Sequence, residues 1–133
     1  MKRLTRLFVT LFVLAMCLSI FAGASIRASG QLDEYKTFIS TGTSGKITIK
    51  CTAKGTGIMD EIGVSRIVIY EKNGSSMTSV ETIQGTSETD TVSYSDTFYF
   101  DGDSGTTYQI RVTFFAENSE GYDTGITSET VTA

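Results

Sequence analysis

Between Lys46 and Lys54 polar and apolar residues alternate without a break. Ile47, Ile49, Cys51 and Ala53 fall on one face, and Lys46, Thr48, Lys50, Thr52 and Lys54 on the other. A period of two predicts a half-buried strand with a solvated outer face. Gly42, Gly45, Gly55 and Gly57 punctuate its ends. Val64 to Glu71 is apolar on both faces, which predicts a more fully buried, central strand. Asn73-Gly74 then predicts a two-residue type I′ hairpin turn, since both residues tolerate positive φ. That turn pairs Lys72 with Ser75, Tyr70 with Met77, Arg66 with Glu81 and Val64 with Ile83. Thr91 to Phe100 reads as a further strand. Tyr108, Ile110, Val112 and Phe114 alternate with Gln109, Arg111, Thr113 and Phe115 in the next, and Ile126 to Val131 is the last. With a first strand near Tyr35–Ser40 the count is about seven, and turn clusters such as Asp101–Gly105 and Asn118–Gly121 separate them. No stretch after residue 24 shows a helical stripe. The expectation is an all-β, antiparallel β-sandwich.

The N-terminus obeys another logic. Lys2, Arg3 and Arg6 precede an apolar run from Leu7 to Phe21, and Ala22-Gly23-Ala24 follows. Charge, apolar segment and small-residue site in that order predict a signal peptide over residues 1–24, cut after Ala24 or alternatively after Ala28. Cys17 follows Met16 rather than a small residue, so it reads as an apolar member of this segment and not as a lipidation site. Residues 25–34 read as a flexible lead-in, and 35–133 as one domain. The predicted destination is secreted and extracellular.

Composition narrows the chemistry. The chain of 133 residues has no His, no Pro, no Trp and two Cys. Without imidazole there is no Ser-His or Cys-His pair and no histidine metal site. Past residue 24, eight cations stand against 15 acids. Such acidity opposes binding to nucleic acid or anionic lipid. Cys51 alone survives cleavage, so no internal disulfide can form and the fold depends on its hydrophobic core.

One resemblance rests on Gly105-Thr106-Thr107-Tyr108-Gln109-Ile110-Arg111-Val112, Asn118-Ser119-Glu120-Gly121 and Ser128-Glu129-Thr130-Val131. These segments resemble the end of a fibronectin type III or related immunoglobulin-like domain. The whole chain is also similar to small, secreted, uncharacterised proteins of Gram-positive bacteria. The first resemblance implies an immunoglobulin-like sandwich in which the Tyr108 hydroxyl bonds back to the Asp101–Thr106 turn. It also implies that Ile110 stands where such domains place a second Cys, with Cys51 facing Ile110 or Val112 across the core as an apolar substitute for the bridge.

Candidate chemistry is sparse. Asp101-x-Asp103 opens like a calcium loop, but Gly105 offers no side-chain oxygen, Thr106 replaces the turn Gly and Val112 replaces the closing Glu. An acidic turn is the better reading, and no metal or cofactor is expected. No nucleophile motif is present, so the chain reads as a non-enzyme. Tyr122, Tyr99 and Phe115 are the candidate binding surface, with Tyr35 as a further aromatic; Tyr108, Cys51 and Ile110 are structural. The expected role is an exported binding or structural module at the bacterial surface or in the medium. Its partner would be a cell-wall or host glycan or a surface protein, with no nucleic acid and no membrane contact after cleavage. Two alternatives stand beside it: a carbohydrate-binding or adhesive domain using exposed aromatics, and a fibre subunit exchanging a strand from residues 25–40.

Overall fold

The computed structural model describes residues 30–133. The expected leader over 1–24, with Cys17, and residues 25–29 of the lead-in lie outside the described residues. The rest is all-β. Six strands, β1 (Leu32–Thr41), β2 (Lys46–Asn73), β3 (Ser76–Gln84), β4 (Ser87–Asp101), β5 (Thr107–Asn118) and β6 (Gly121–Thr132), form one connected antiparallel sheet. A short 3₁₀ turn at Thr43–Gly45 joins the first two.

The organising element is β2, which runs for 28 residues. At about 3.3 Å per residue it would span roughly 90 Å if straight, far more than a domain of ~100 residues with a radius of gyration near 13 Å can hold. It therefore bends. The pairing with β4 breaks between Lys54 and Met59, at the glycines that the sequence pattern marks as a strand end. The chain stays extended through the bend because Met59 and Ile62 are buried on its far side, which continues the apolar face past the interruption. Among the described residues the strand count is thus six rather than seven: the strands expected at 46–54 and 64–71 are two halves of one.

Each half of β2 carries different neighbours. Along one edge the first half pairs with β1 and the second with β5; along the other, β4 is followed by β3. The step from β3 to β4 presses against β2, where the Val64 N–H donates to the Thr86 carbonyl and the Gly85 N–H to that of Ser65. Because β2 bends, the open sheet curls until the inner face of β1 meets that of β6. Tyr35 packs on Phe114 with ring centroids 5.4 Å apart, and the Thr37 and Thr127 hydroxyls lie 2.6 Å apart. The core fills the curl: Ile47, Ile49 and Cys51 from one half of β2, Ile67 and Ile69 from the other, and Ile110, Val112 and Phe114 from β5. The two separate sheets of an immunoglobulin-like sandwich are not what this pairing gives; one curled sheet encloses the core instead.

Two local expectations also change. The hairpin turn is Gly74-Ser75, closed by Asn73 opposite Ser76. Only Gly74 has positive φ there, at 65°, which is the type II′ pattern with Gly in the first central position. Every expected pair is displaced: Lys72 meets Met77, Tyr70 meets Ser79, and a bulge at Val80 shifts the register again, so that Ile67 meets Ile83 and Arg66 meets Gln84. β1 begins at Leu32, so residues 32–34, expected in the lead-in, belong to the sheet. The Leu32 N–H donates to Asp123, and the Gln31 carbonyl accepts from the Thr56 N–H.

Candidate functional site

In β5 the alternation is strict. Tyr108, Ile110, Val112, Phe114 and Ala116 point into the core, so Gln109, Arg111, Thr113 and Phe115 point outward. The turn at Ser119-Glu120, where the Asn118 Oδ1 accepts the Glu120 N–H at 2.9 Å, sets the register of β6. Tyr122 falls opposite Glu117 and diagonal to Phe115. Their rings lie 6.1 Å apart at 22°, a stacked arrangement. Two residues past Thr124, Ile126 continues the same face, and it is as exposed as Tyr122 (58% against 60%). Further along, the Arg111 guanidinium sits 5.3 Å from the Tyr70 ring centroid. This face is a shallow aromatic and aliphatic strip, not a cleft.

The structure therefore brings Phe115 and Tyr122 together and leaves Tyr99 elsewhere. Tyr99 lies on the outer side of β4, opposite Thr48 of the first half of β2. Tyr35 is occupied in the seam between β1 and β6, against Phe114 and Gly125. Ile126 is the member of the strip that the sequence reading missed. Its signal was parity with Tyr122, which becomes usable once the turn is placed.

The structural residues are interior. Tyr108 is buried (3% exposed), its ring meets Phe100 edge-on at 5.1 Å, and its hydroxyl accepts the Asp103 N–H at 2.8 Å. Cys51 and Ile110 are fully buried in the same core cluster as Val112. Burial pushes the Cys51 thiol up to about 12, against a smaller opposing effect of hydrogen bonding with Thr37. Burial likewise raises Tyr94 to about 12, although its hydroxyl lies 2.7 Å from that of Thr86. A thiol so placed is not a nucleophile. Among the described residues no three His, Cys, Asp or Glu side chains are grouped to hold a metal ion. The turn with Asp101 and Asp103 is instead organised by backbone: the Gly102 N–H donates to the Gly45 carbonyl, and that of Thr106 to the Asp103 carbonyl.

No protein-family model matches the sequence, and no curated protein matches it. Among solved structures, the chain is similar to a protein described as late embryogenesis abundant, with a TM-score of 0.44 and 12% identity over 97% of this chain and 86% of that one. It is also similar to a protein from Archaeoglobus fulgidus, with a TM-score of 0.42 and 11% identity over 77% of this chain and 97% of the other. Neither description names a fibronectin type III or immunoglobulin domain, or a secreted protein of a Gram-positive bacterium. The single curled sheet, in place of two packed ones, corrects the family expectation drawn from Gly105–Val131. Those residues spell an alternating strand, a turn and a second strand, a pattern any antiparallel hairpin needs. The Tyr108–Asp103 bond closes a local turn without requiring that family's topology.

Proposed function

We propose that the chain is an exported, non-enzymatic β-sheet module that binds a partner at the cell surface or in the medium through the Phe115–Tyr122–Ile126 strip. The observation that carries this is the stacked pair formed on the outer face by half-buried Phe115 and exposed Tyr122. Two rings stacked against each other on one sheet face present a preformed apolar surface, and little side-chain entropy is lost when a ligand covers it. A sugar ring or an apolar side chain fits such a surface; the alternative of a carbohydrate-binding or adhesive domain is a special case of the same contact. Support for export is the three-part N-terminus, with cleavage after Ala24.

Two measurements test the reading. Terminal sequencing of protein from the medium should start at Ser25, or at Ser29 for the alternative cut; an intact Met1 terminus in the membrane fraction ends the export proposal. Retention on isolated cell wall and on a glycan panel should weaken by about fivefold or more in Tyr122→Ala and Phe115→Ala, the loss of ~1 kcal/mol expected of a contact residue. No retention of the parent protein, or equal retention of both variants, removes the strip as the binding surface.

A further inference from the structure

The other wing of the sheet carries a surface of different chemistry. On its outer side the register sets Ser40, Thr48 and Tyr99 in one row across three strands, and Phe38, Lys50 and Thr97 in the next. Lys36, Thr52 and Ser95 form the third row, Glu34, Lys54 and Ser93 the fourth, and Lys46 stands opposite Asp101 beyond the first. All four lysines are exposed, and so are both rings, Phe38 by 55% and Tyr99 by 60%. The Lys46 ammonium sits 5.3 Å from the Tyr99 centroid, a cation–π contact between neighbouring strands. Lys36 is ion-paired with Glu34. Lys50 lies between Phe38 and Thr97 with no acid opposite it.

Charge is segregated. This face holds Lys36, Lys46, Lys50 and Lys54 against Glu34 and Asp101. The remaining described residues hold Arg66, Lys72 and Arg111 against thirteen acids. A cationic face on a strongly acidic chain orients the molecule in the field of a polyanion, while the rest of the surface repels it.

We infer that this outer face of β1, the first half of β2 and the adjoining part of β4 binds a linear anionic polysaccharide. The lysines do not converge on a point. Lys46 to Lys54 spans eight residues, about 27 Å along the strand, so a single small anion would meet one or two ammonium groups and gain little, as exposed ion pairs do. A polymer carrying a carboxylate or sulfate on successive sugars meets several at once. Phe38 and Tyr99 offer flat apolar surface to ring faces. Ser40, Thr48, Thr52, Ser95 and Thr97 place hydroxyls between the charges, where sugar hydroxyls can exchange hydrogen bonds with them. The face is on the opposite wing from Phe115 and Tyr122, so it stands or falls independently of the proposal above.

Affinity electrophoresis tests it with polygalacturonate and dextran sulfate as anionic probes, unmodified dextran as the neutral control, and inorganic polyphosphate, single-stranded DNA and anionic vesicles as competitors. Both anionic polysaccharides should retard the parent protein, dextran should not, and added salt should weaken the effect. The double variant Lys50→Glu/Lys54→Glu should bind at least tenfold more weakly while melting like the parent, and Arg66→Glu/Lys72→Glu on the other wing should bind unchanged. Tyr99→Ala should weaken polysaccharide binding several-fold and leave polyphosphate binding as it was. The inference is overturned by absence of retardation at low salt, by equal damage from the Arg66/Lys72 variant, by a Tyr99→Ala loss that polyphosphate shares, or by preference for DNA or vesicles over both polysaccharides.

Discussion

Replacing Tyr108 with Phe removes one oxygen and leaves the ring. The ring is buried and meets Phe100 edge-on, so apolar packing is unchanged. What is lost is the acceptor of the Asp103 N–H, a bond of 2.8 Å. The size of the loss depends on where that N–H then turns. Asp103 is exposed, so water can reach its backbone, and the full desolvation cost of an orphaned buried donor does not apply. The expected cost is therefore the net worth of one hydrogen bond, roughly 0.5–1.5 kcal/mol, not the ~3–5 kcal/mol of a large-to-small core substitution such as Tyr108→Ala. Urea unfolding reads this directly: the midpoint should fall with m unchanged, because the exposed surface is the same. The melting temperature should drop by about 4–8 °C per kcal/mol in a domain near this size. Amide exchange at Asp103 should accelerate in the variant while the core amides of β5 stay protected relative to global stability. A Phe variant as stable as the parent would refute the reasoning, and so would a cost approaching that of Tyr108→Ala.

Further expectations follow from close approach and from burial. A Cβ at Gly85 would lie 1.8 Å from the Val64 carbonyl oxygen and 2.4 Å from its carbon, both backbone, so Gly85→Ala should prevent folding or cost well over about 3 kcal/mol in thermal melts. Gly74→Ala meets open space and only a φ of 65°, and should cost about 1–2 kcal/mol. Cys51 should resist thiol reagents until the protein unfolds. Its folded value, raised by burial to about 12, exceeds the ordinary thiol value of 9.0, so the unfolded chain releases its proton first as pH rises. The associated stability is fully present below about pH 9 and is lost towards pH 12, at up to about 1.4 kcal/mol per pH unit. Cys51→Ala should flatten that decline near pH 9–10, leaving the later one due to Tyr94; an equally steep decline in the variant would show that Cys51 is not its source.

Much of the fold was legible because alternation is a local signal. Ile47 to Ala53 and Tyr108 to Phe114 face inward as their period requires, and each inward residue fixes the outward side of its neighbours. The bend was illegible for a physical reason. Gly55 and Gly57 carry the same composition whether a strand ends or turns a corner, and only the burial of Met59 and Ile62 against the rest of the sheet decides between the two. The hairpin failed through a single residue. Asn73 and Gly74 both tolerate positive φ, and the choice of Gly74-Ser75 as the central pair displaced every downstream partner.

The two proposed binding surfaces show the same division between local and non-local information. That Phe115 points outward follows from its strand alone, and that Tyr122 joins it follows from one turn. Tyr99 has the same local credentials, an exposed aromatic among alternating residues, yet it belongs to another surface because β4 lies along the first half of β2 and β5 along the second. Exposure is thus a property of the strand, whereas company is a property of the bend. Lys46, Lys50 and Lys54 were visible in the sequence as the solvated side of one strand. They gain a further meaning only when β1 supplies Phe38 and Lys36 on one flank and β4 supplies Tyr99 on the other. A solvated strand face and a charged, aromatic binding face have the same one-dimensional pattern. What separates them is the chemistry of the two neighbouring strands, which pairing across about 60 residues of chain brings to the same side.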